Sequence, residues 1–322
     1  MKKSKKGLGL LLVLSMGISL NFSSSAAAET NRTEIANKIE IKHAEDGRIQ
    51  GINSASKLNS GELNRVLGEM GFSFNEISNM QEGLKKEIVE GGGKKSNLEL
   101  IEEKQEYTSL DGKDYVLNEQ NKQEIQNIKE RDANTIINNS KGKNNAIQYM
   151  NPPSAEITDD LTFNLFAIYQ GQRGSDYVYK VFSNQMWTKR PYWQTNDMIG
   201  IVWESNAHAL AGTESARQYW TITNLGGGIN EREAYLSGDR SSLYGTKWKL
   251  PYRDESLLYG AYTSQQITIP KSYRGSNATV GAGFAHPWFS YNIAINFGPG
   301  AISFSDAVGD KKSLRYNINV GS

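Results

Sequence analysis

The sequence predicts a mainly β protein: a C-terminal antiparallel β-sandwich, jelly-roll-like, preceded by a small helical N-terminal region. Three observations carry that prediction. All six tryptophans, Trp187, Trp193, Trp203, Trp220, Trp248 and Trp288, lie in the second half of the chain, and large rings bury the area on which a core depends. Apolar and polar residues alternate strictly near the C-terminus, the pattern of strands with one buried face and one wet face. No apolar run of helical period and length follows Pro153.

The chain begins with Lys2, Lys3, Lys5 and Lys6, an apolar stretch from Gly7 to Leu20, and a polar run that ends at Ala26, Ala27 and Ala28. That is the three-part pattern of a signal peptide over residues 1–28, cleaved after Ala28, and it implies a secreted, extracellular protein. The apolar stretch falls short of the roughly 20 residues a helical span needs. There is no cysteine. A lipid-anchored cysteine, disulfides, thiolate zinc sites and cysteine nucleophiles are therefore excluded together.

Residues 29–149 read as a polar N-terminal region, a pro-segment or spacer with a helical cluster at about residues 58–90. Leu63, Val66, Leu67 and Met70 stand at helical spacing before Gly71. Ser73 and Glu76 form a capping-box pair ahead of Ile77 and Met80, and Leu84 and Ile88 continue until Gly91–Gly93. Glu106–Leu117 carries Asp111-Gly112, which predicts a two-residue hairpin turn. From Asn118 to Ile137 the pattern is helix-compatible, with Ile125 and Ile128 too sparse for a full face. Lys94-Lys95 and Lys141–Lys143 are candidate processing sites.

Asn151-Pro152-Pro153 predicts a linker, and residues 150–322 the sandwich domain. Strands are predicted over Leu161–Tyr169, Tyr177–Phe182, Met198–Trp203, Tyr219–Thr223, Gln266–Ile269, Phe289–Phe297 and Leu314–Val320. In Phe289–Phe297 the residues Phe289, Tyr291, Ile293, Ile295 and Phe297 point one way and Ser290, Asn292, Ala294 and Asn296 the other. Gly298-Pro299-Gly300 turns the chain, and Ile302 and Phe304 resume the apolar face. The stretch Tyr179–Asn184, then Trp187 and Pro191, then Asp197–Trp203, resembles uncharacterised secreted β-rich proteins of Gram-positive bacteria. That resemblance implies export and a β-rich fold and assigns no catalytic residue.

For chemistry the sequence offers little. Its histidines are His43, His208 and His286, and neither a Gly-x-Ser-x-Gly nor a His-Glu-x-x-His motif occurs. Asp197 and Glu204 would sit roughly 23 Å apart on one strand at 3.3 Å per residue, so either needs a partner such as Glu231, Glu233 or Asp239 to act as a glycosidase pair. No cofactor motif is present; calcium is the one candidate cation, near Asp159-Asp160 or Asp306 and Asp310, without a named site. The formal net charge of +1 offers nothing to nucleic acid.

These exclusions leave a non-enzymatic binding or surface-interaction protein that recognises a glycan, a cell-wall polymer or a membrane surface. The residues expected to bind are Trp187, Lys189, Arg190, Tyr192 and Trp193, planar rings and cations around Pro191. A membrane-active toxin with an N-terminal pro-region and a glycan hydrolase or lyase are the alternatives. The oligomeric state is left open.

Overall fold

A computed structural model describes residues 39–140, 160–223, 227–253, 256, 258–288, 294–305 and 308–321. The signal segment, Lys141–Lys143, the Asn151-Pro152-Pro153 linker, Asp159, Asp306 and the Phe289, Tyr291 and Ile293 part of the alternating strand lie outside the described residues.

Three short helices come first: α1 (Ser60–Glu69), α2 (Phe74–Ser78) and α3 (Glu82–Gly91). Two capping boxes fix where the first two start. The Ser73–Glu76 box is formed as the sequence predicts, and Asn59–Glu62 adds a second: the Asn59 side chain accepts from the Glu62 N–H at 3.0 Å, and the Glu62 carboxylate accepts from the Asn59 N–H at 2.9 Å. Gly71 takes φ +98° and ends α1 as a left-handed terminus. The apolar faces join one buried cluster of Leu63, Val66, Leu67, Met70, Leu84 and Ile88 with Phe166, Ile168, Phe182, Tyr219 and Tyr262.

Then follow β1 (Lys94–Lys95), β2 (Leu98–Thr108), β3 (Asp114–Val116), α4 (Lys122–Ser140), β4 (Leu161–Arg173), β5 (Asp176–Trp187), β6 (Asp197–Trp203), β7 (His208–Ala209), β8 (Ser215–Thr223) and β9 (Ile229–Tyr235). The remainder are β10 (Gly238–Asp239), β11 (Gly245–Leu250), β12 (Tyr259–Pro270), β13 (Asn277–Pro287), β14 (Ala294–Gly298), β15 (Ala301–Ser305) and β16 (Gly309–Asn319). Sheet I has the order β1-β4-β5-β12-β8-β9, with β7 also on β12, and sheet II the order β10-β11-β6-β13-β16-β2-β3. Every strand pairing among the described residues is antiparallel. The fold is thus mainly β, with helices in the N-terminal region.

The main core lies between the sheets. Phe163, Leu165, Tyr179, Val181, Trp187, Tyr259 and Ile267 of sheet I meet Ile199, Ile201, Trp203, Trp248, Val280, Phe284 and Leu314 of sheet II. The outer face of sheet I carries the helix cluster, anchored also by Glu87, which takes Lys180 Nζ at 2.8 Å and the Ser264 hydroxyl at 2.9 Å.

The sheets draw strands from both sides of residue 150. Lys94-Lys95, read from sequence as an exposed processing site, pairs with Tyr169 and Ile168 of β4. β2 pairs along most of β16. Its sequence, Leu-Glu-Leu-Ile-Glu-Glu-Lys-Gln-Glu-Tyr-Thr, hides a strand because charge masks the alternation. The turn around Asp111-Gly112 is also longer than predicted. Thr108 pairs with Asp114, leaving Ser109–Lys113 as the loop, because the Ser109 and Lys113 backbones hydrogen-bond at 3.0 Å before a two-residue turn closes.

A fragment starting at residue 150 loses the helices that cover sheet I and the strand that pairs β16. Its far-UV circular dichroism and cooperative melting are expected to be lost, while the chain from residue 40 keeps both. A fragment that melts cooperatively at the same temperature as the longer chain contradicts this.

Candidate functional site

The structure turns the expected aromatic loop inward. Trp187 is buried between the sheets, and its Nε1 donates to Asp197 Oδ2 at 3.1 Å. Trp193 is 4 % exposed and stacks on Trp288, ring centroids 5.3 Å apart and planes 20° apart. Tyr192 lies half-buried, edge-on to Trp193 at 4.9 Å. Lys189 and Arg190 are the members of the set that reach solvent; Lys189 pairs with Asp160 at 2.9 Å, and Arg190 Nε donates to the Tyr252 hydroxyl at 2.6 Å. The expectation of rings presented to a ligand is therefore corrected. Tryptophan removes most area from water when it is enclosed, and here two indoles enclose each other.

The carboxylate candidates separate in the same way. Asp197 is fully buried and accepts from Trp187, from the Tyr259 hydroxyl at 2.9 Å and from His286 Nδ1 at 2.6 Å. Glu204 accepts the Thr279 N–H at 2.9 Å, and Asp239 pairs with Lys247 at 3.4 Å. Glu231 and Glu233 share one face of β9 and line a groove with Glu82, Glu87 and Glu90. Burial, then the charges of Glu233 and Glu82, push the Glu231 carboxyl up. Arg217 pairs with Glu233 at 3.0 Å. Of the calcium candidates, Asp160 and Asp310 each hold a lysine instead, and no group of three metal-binding side chains gathers among the described residues.

A feature of different kind stands out on sheet II. β13 and β16 are adjacent, and Pro287 pairs directly with Gly309. About two to five residues suffice to join such strands, yet residues 288–308 intervene and contain a second hairpin, β14–β15. Its cross-strand pairs are Ile295 with Phe304 and Phe297 with Ile302, all on one face, and Asn296 with Ser303 on the other. Ile295 is buried, whereas Asn296 and Ser303 are exposed, as the alternation predicts.

Glycines make room for the apolar face. A Cβ on Gly245 would stand 2.3 Å from the Phe297 ring, one on Gly200 2.8 Å from Ile302, and one on Gly283 2.7 Å from Ile302 and from Phe304. Gly200 and Gly283 pair directly across β6 and β13. Glycine weakens a strand, and it recurs where another backbone layer approaches closely. At the hairpin tip, the Gly300 N–H donates to the Trp203 carbonyl at 3.0 Å and Arg315 Nε donates to the Gly300 carbonyl at 2.9 Å.

The hairpin's root is clamped by an aromatic cluster that includes Trp193, one of the residues expected from sequence to bind a ligand. Trp288 follows β13 directly, stacks on Trp193, meets Tyr107 at 5.0 Å, and donates from Nε1 to Asp310 Oδ2 at 3.1 Å. Lys129 of α4 reaches Asp310 Oδ1 at 2.7 Å, and both are buried. The Thr195 hydroxyl donates to the Pro287 carbonyl. α4 packs Ile125 and Ala133 into the same cluster. The helix-compatible pattern over Asn118–Ile137 is this helix, and its apolar face reads as sparse because half of the buried positions are the charged Lys129 and Asp132.

No family model and no curated protein matches the sequence. Among solved structures, the collagen-binding subdomain of the Enterococcus faecalis surface protein ACE superposes at TM-score 0.24 and 8 % identity, over 43 % of this chain and 86 % of that one. The collagen-binding domain of the Erysipelothrix rhusiopathiae surface protein RspB gives 0.29 and 8 % over 48 % of each chain, so less than half of that chain is spanned. The membrane-inserted Clostridium perfringens NetB toxin gives 0.25 and 6 % over 52 % of this chain and 95 % of that one. Superpositions this loose carry no argument about function. No helix among the described residues is long and apolar enough to cross a membrane, which says nothing of crossing by strands.

Gly283→Val places a branched side chain under Ile302 and Phe304. Overpacking of this kind costs about 1–3 kcal/mol, and displacing the hairpin relieves it. Limited proteolysis is expected to cut within residues 294–305 at least about tenfold faster than in the parent while the sandwich strands stay protected. An unchanged cleavage pattern contradicts the close approach.

Proposed function

We propose that the chain is a secreted surface-interacting protein that acts on membranes: the β14–β15 hairpin is stored against sheet II and passes into a lipid bilayer. The observation that carries this reading is the redundant amphipathic hairpin lying on a row of glycines between two strands that already pair without it.

The physical case rests on exchange of environments. On the sheet, the apolar face of Ile295, Phe297, Ile302 and Phe304 is covered incompletely, since only Ile295 falls in the fully buried class. Full burial stabilises such a side chain by roughly 1.5–3 kcal/mol, so the bilayer offers the same four residues more than the sheet does. Asn296, Ser303 and Ser305 then face the lumen, the polar side of a barrel strand. In sequence the alternation starts at Phe289, and from there to Phe297 matches the roughly 9–11 residues a tilted strand needs to span a bilayer. Two strands do not close a barrel, whose smallest form has about eight, so at least about four copies would assemble.

A disulfide lock tests the reading in a chain without native cysteine. The Cβ position of Gly300 lies 3.0 Å from Thr279 Cβ, near the roughly 3.5–4.5 Å of a disulfide. With Thr279→Cys and Gly300→Cys together, dye release from liposomes is expected to be absent when oxidised and restored on reduction. Equal release in both redox states, or no release by the parent chain, overturns the proposal.

A further inference from the structure

Away from the hairpin, a cavity of about 520 Å³ opens at the corner where the chain crosses from sheet I to sheet II. That volume lies within the roughly 300–1,000 Å³ of small-molecule sites. Four separate segments bring asparagines to its wall: Asn75 in α2 with Asn79 capping its C-terminus, Asn97 in the β1–β2 crossover, Asn164 in β4 and Asn184 in β5. Asn164 and Asn184 are direct cross-strand partners. Asparagine is depleted in strands, and this pair sits next to Phe166 and Phe182, which pack under the helices on the same face.

The chemistry of the wall is neutral. The one carboxylate, Glu76, is neutralised by Lys95 at 2.5 Å. Burial opposes the Glu76 charge, but hydrogen bonds from Lys95 and Ser73 more than offset it and hold the carboxyl below its usual value, so the ion pair persists at neutral pH. Each carboxamide offers two donors and an acceptor without charge, which complements hydroxyl groups that both donate and accept. Leu98, Leu165 and Phe166 supply apolar wall for carbon-bound hydrogens. Asn184 is 2 % exposed; its Nδ2 donates to the Asn79 carbonyl at 3.1 Å, while its Oδ1 has no partner. A buried acceptor left in that state calls for an explanation, and a ligand hydroxyl supplies one.

We infer that this corner cavity binds a short neutral oligosaccharide, held by the carboxamides of Asn75, Asn79, Asn97, Asn164 and Asn184. The site shares no residue with the hairpin, and binding of a soluble sugar needs no bilayer, so the two readings succeed or fail separately.

The test is an array of neutral oligosaccharides of about two to four sugars with sialylated and sulfated counterparts, and vesicles carrying a neutral glycolipid, each probed with the full chain. Retention on a neutral glycan is expected, weakened at least about tenfold by Asn184→Leu and by Asn97→Ala with Asn164→Ala. The second variant alters exposed residues only, so its loss of binding with unchanged melting separates recognition from folding. Retention on the soluble array alone assigns the sugar to a free or wall glycan, and retention on both arms to a lipid headgroup. No neutral glycan retained, a preference for the acidic ones, or binding untouched by both variants overturns the inference.

Discussion

Close approach between backbone layers is the constraint on which the functional account rests. Side chains normally hold stacked β layers about 10 Å apart. On the outer face of sheet II, Gly200, Gly245 and Gly283 remove those side chains, and Ile302, Phe297 and Phe304 of the hairpin fill the space. The sandwich core lies on the other face and does not depend on this contact. The hairpin is therefore a layer added to the outer face of the sheet, away from the sandwich core.

The root of the hairpin shows the opposite economy. Trp193, Trp288, Tyr107 and the buried Lys129–Asp310 pair gather where the excursion leaves and rejoins the sheet. A buried ion pair contributes little net stability against an apolar replacement, yet removing one partner costs several kcal/mol. Such a cluster fixes geometry. It defines where β13 ends and β16 begins, at the Pro287–Gly309 pair. β2 and α4 supply Tyr107 and Lys129 to this clamp, which ties the N-terminal part of the chain to the hairpin's position.

Much of the architecture was legible in sequence because period and capping are local signals. The Ser73–Glu76 box, the Gly71 terminus and the strands around Val181, Ile201 and Ile318 all follow from short-range pattern. β2 and β13 were hidden for opposite reasons: one is masked by glutamates, the other by glycine and alanine, and both depend on partners far along the chain. The exposure of the aromatic loop was misread for a related cause. Composition announces an aromatic loop, but exposure is decided by packing, and only the fold brings Trp193 against Trp288. The alternation of Ile295 and Phe297 was visible; the glycine row that receives it comes from β6, β11 and β13 and needs the sheet order to be seen.

Hydrogen exchange of the backbone amides tests the stored-layer account most directly. With the chain alone, amides of residues 294–305 should exchange far faster than those of β13 and β16, and adding anionic lipid vesicles should slow the hairpin amides while leaving the two flanking strands unchanged. Exchange of the hairpin at the same rate as β13 and β16, indifferent to lipid, would show that it belongs to the cooperative core and would contradict the account.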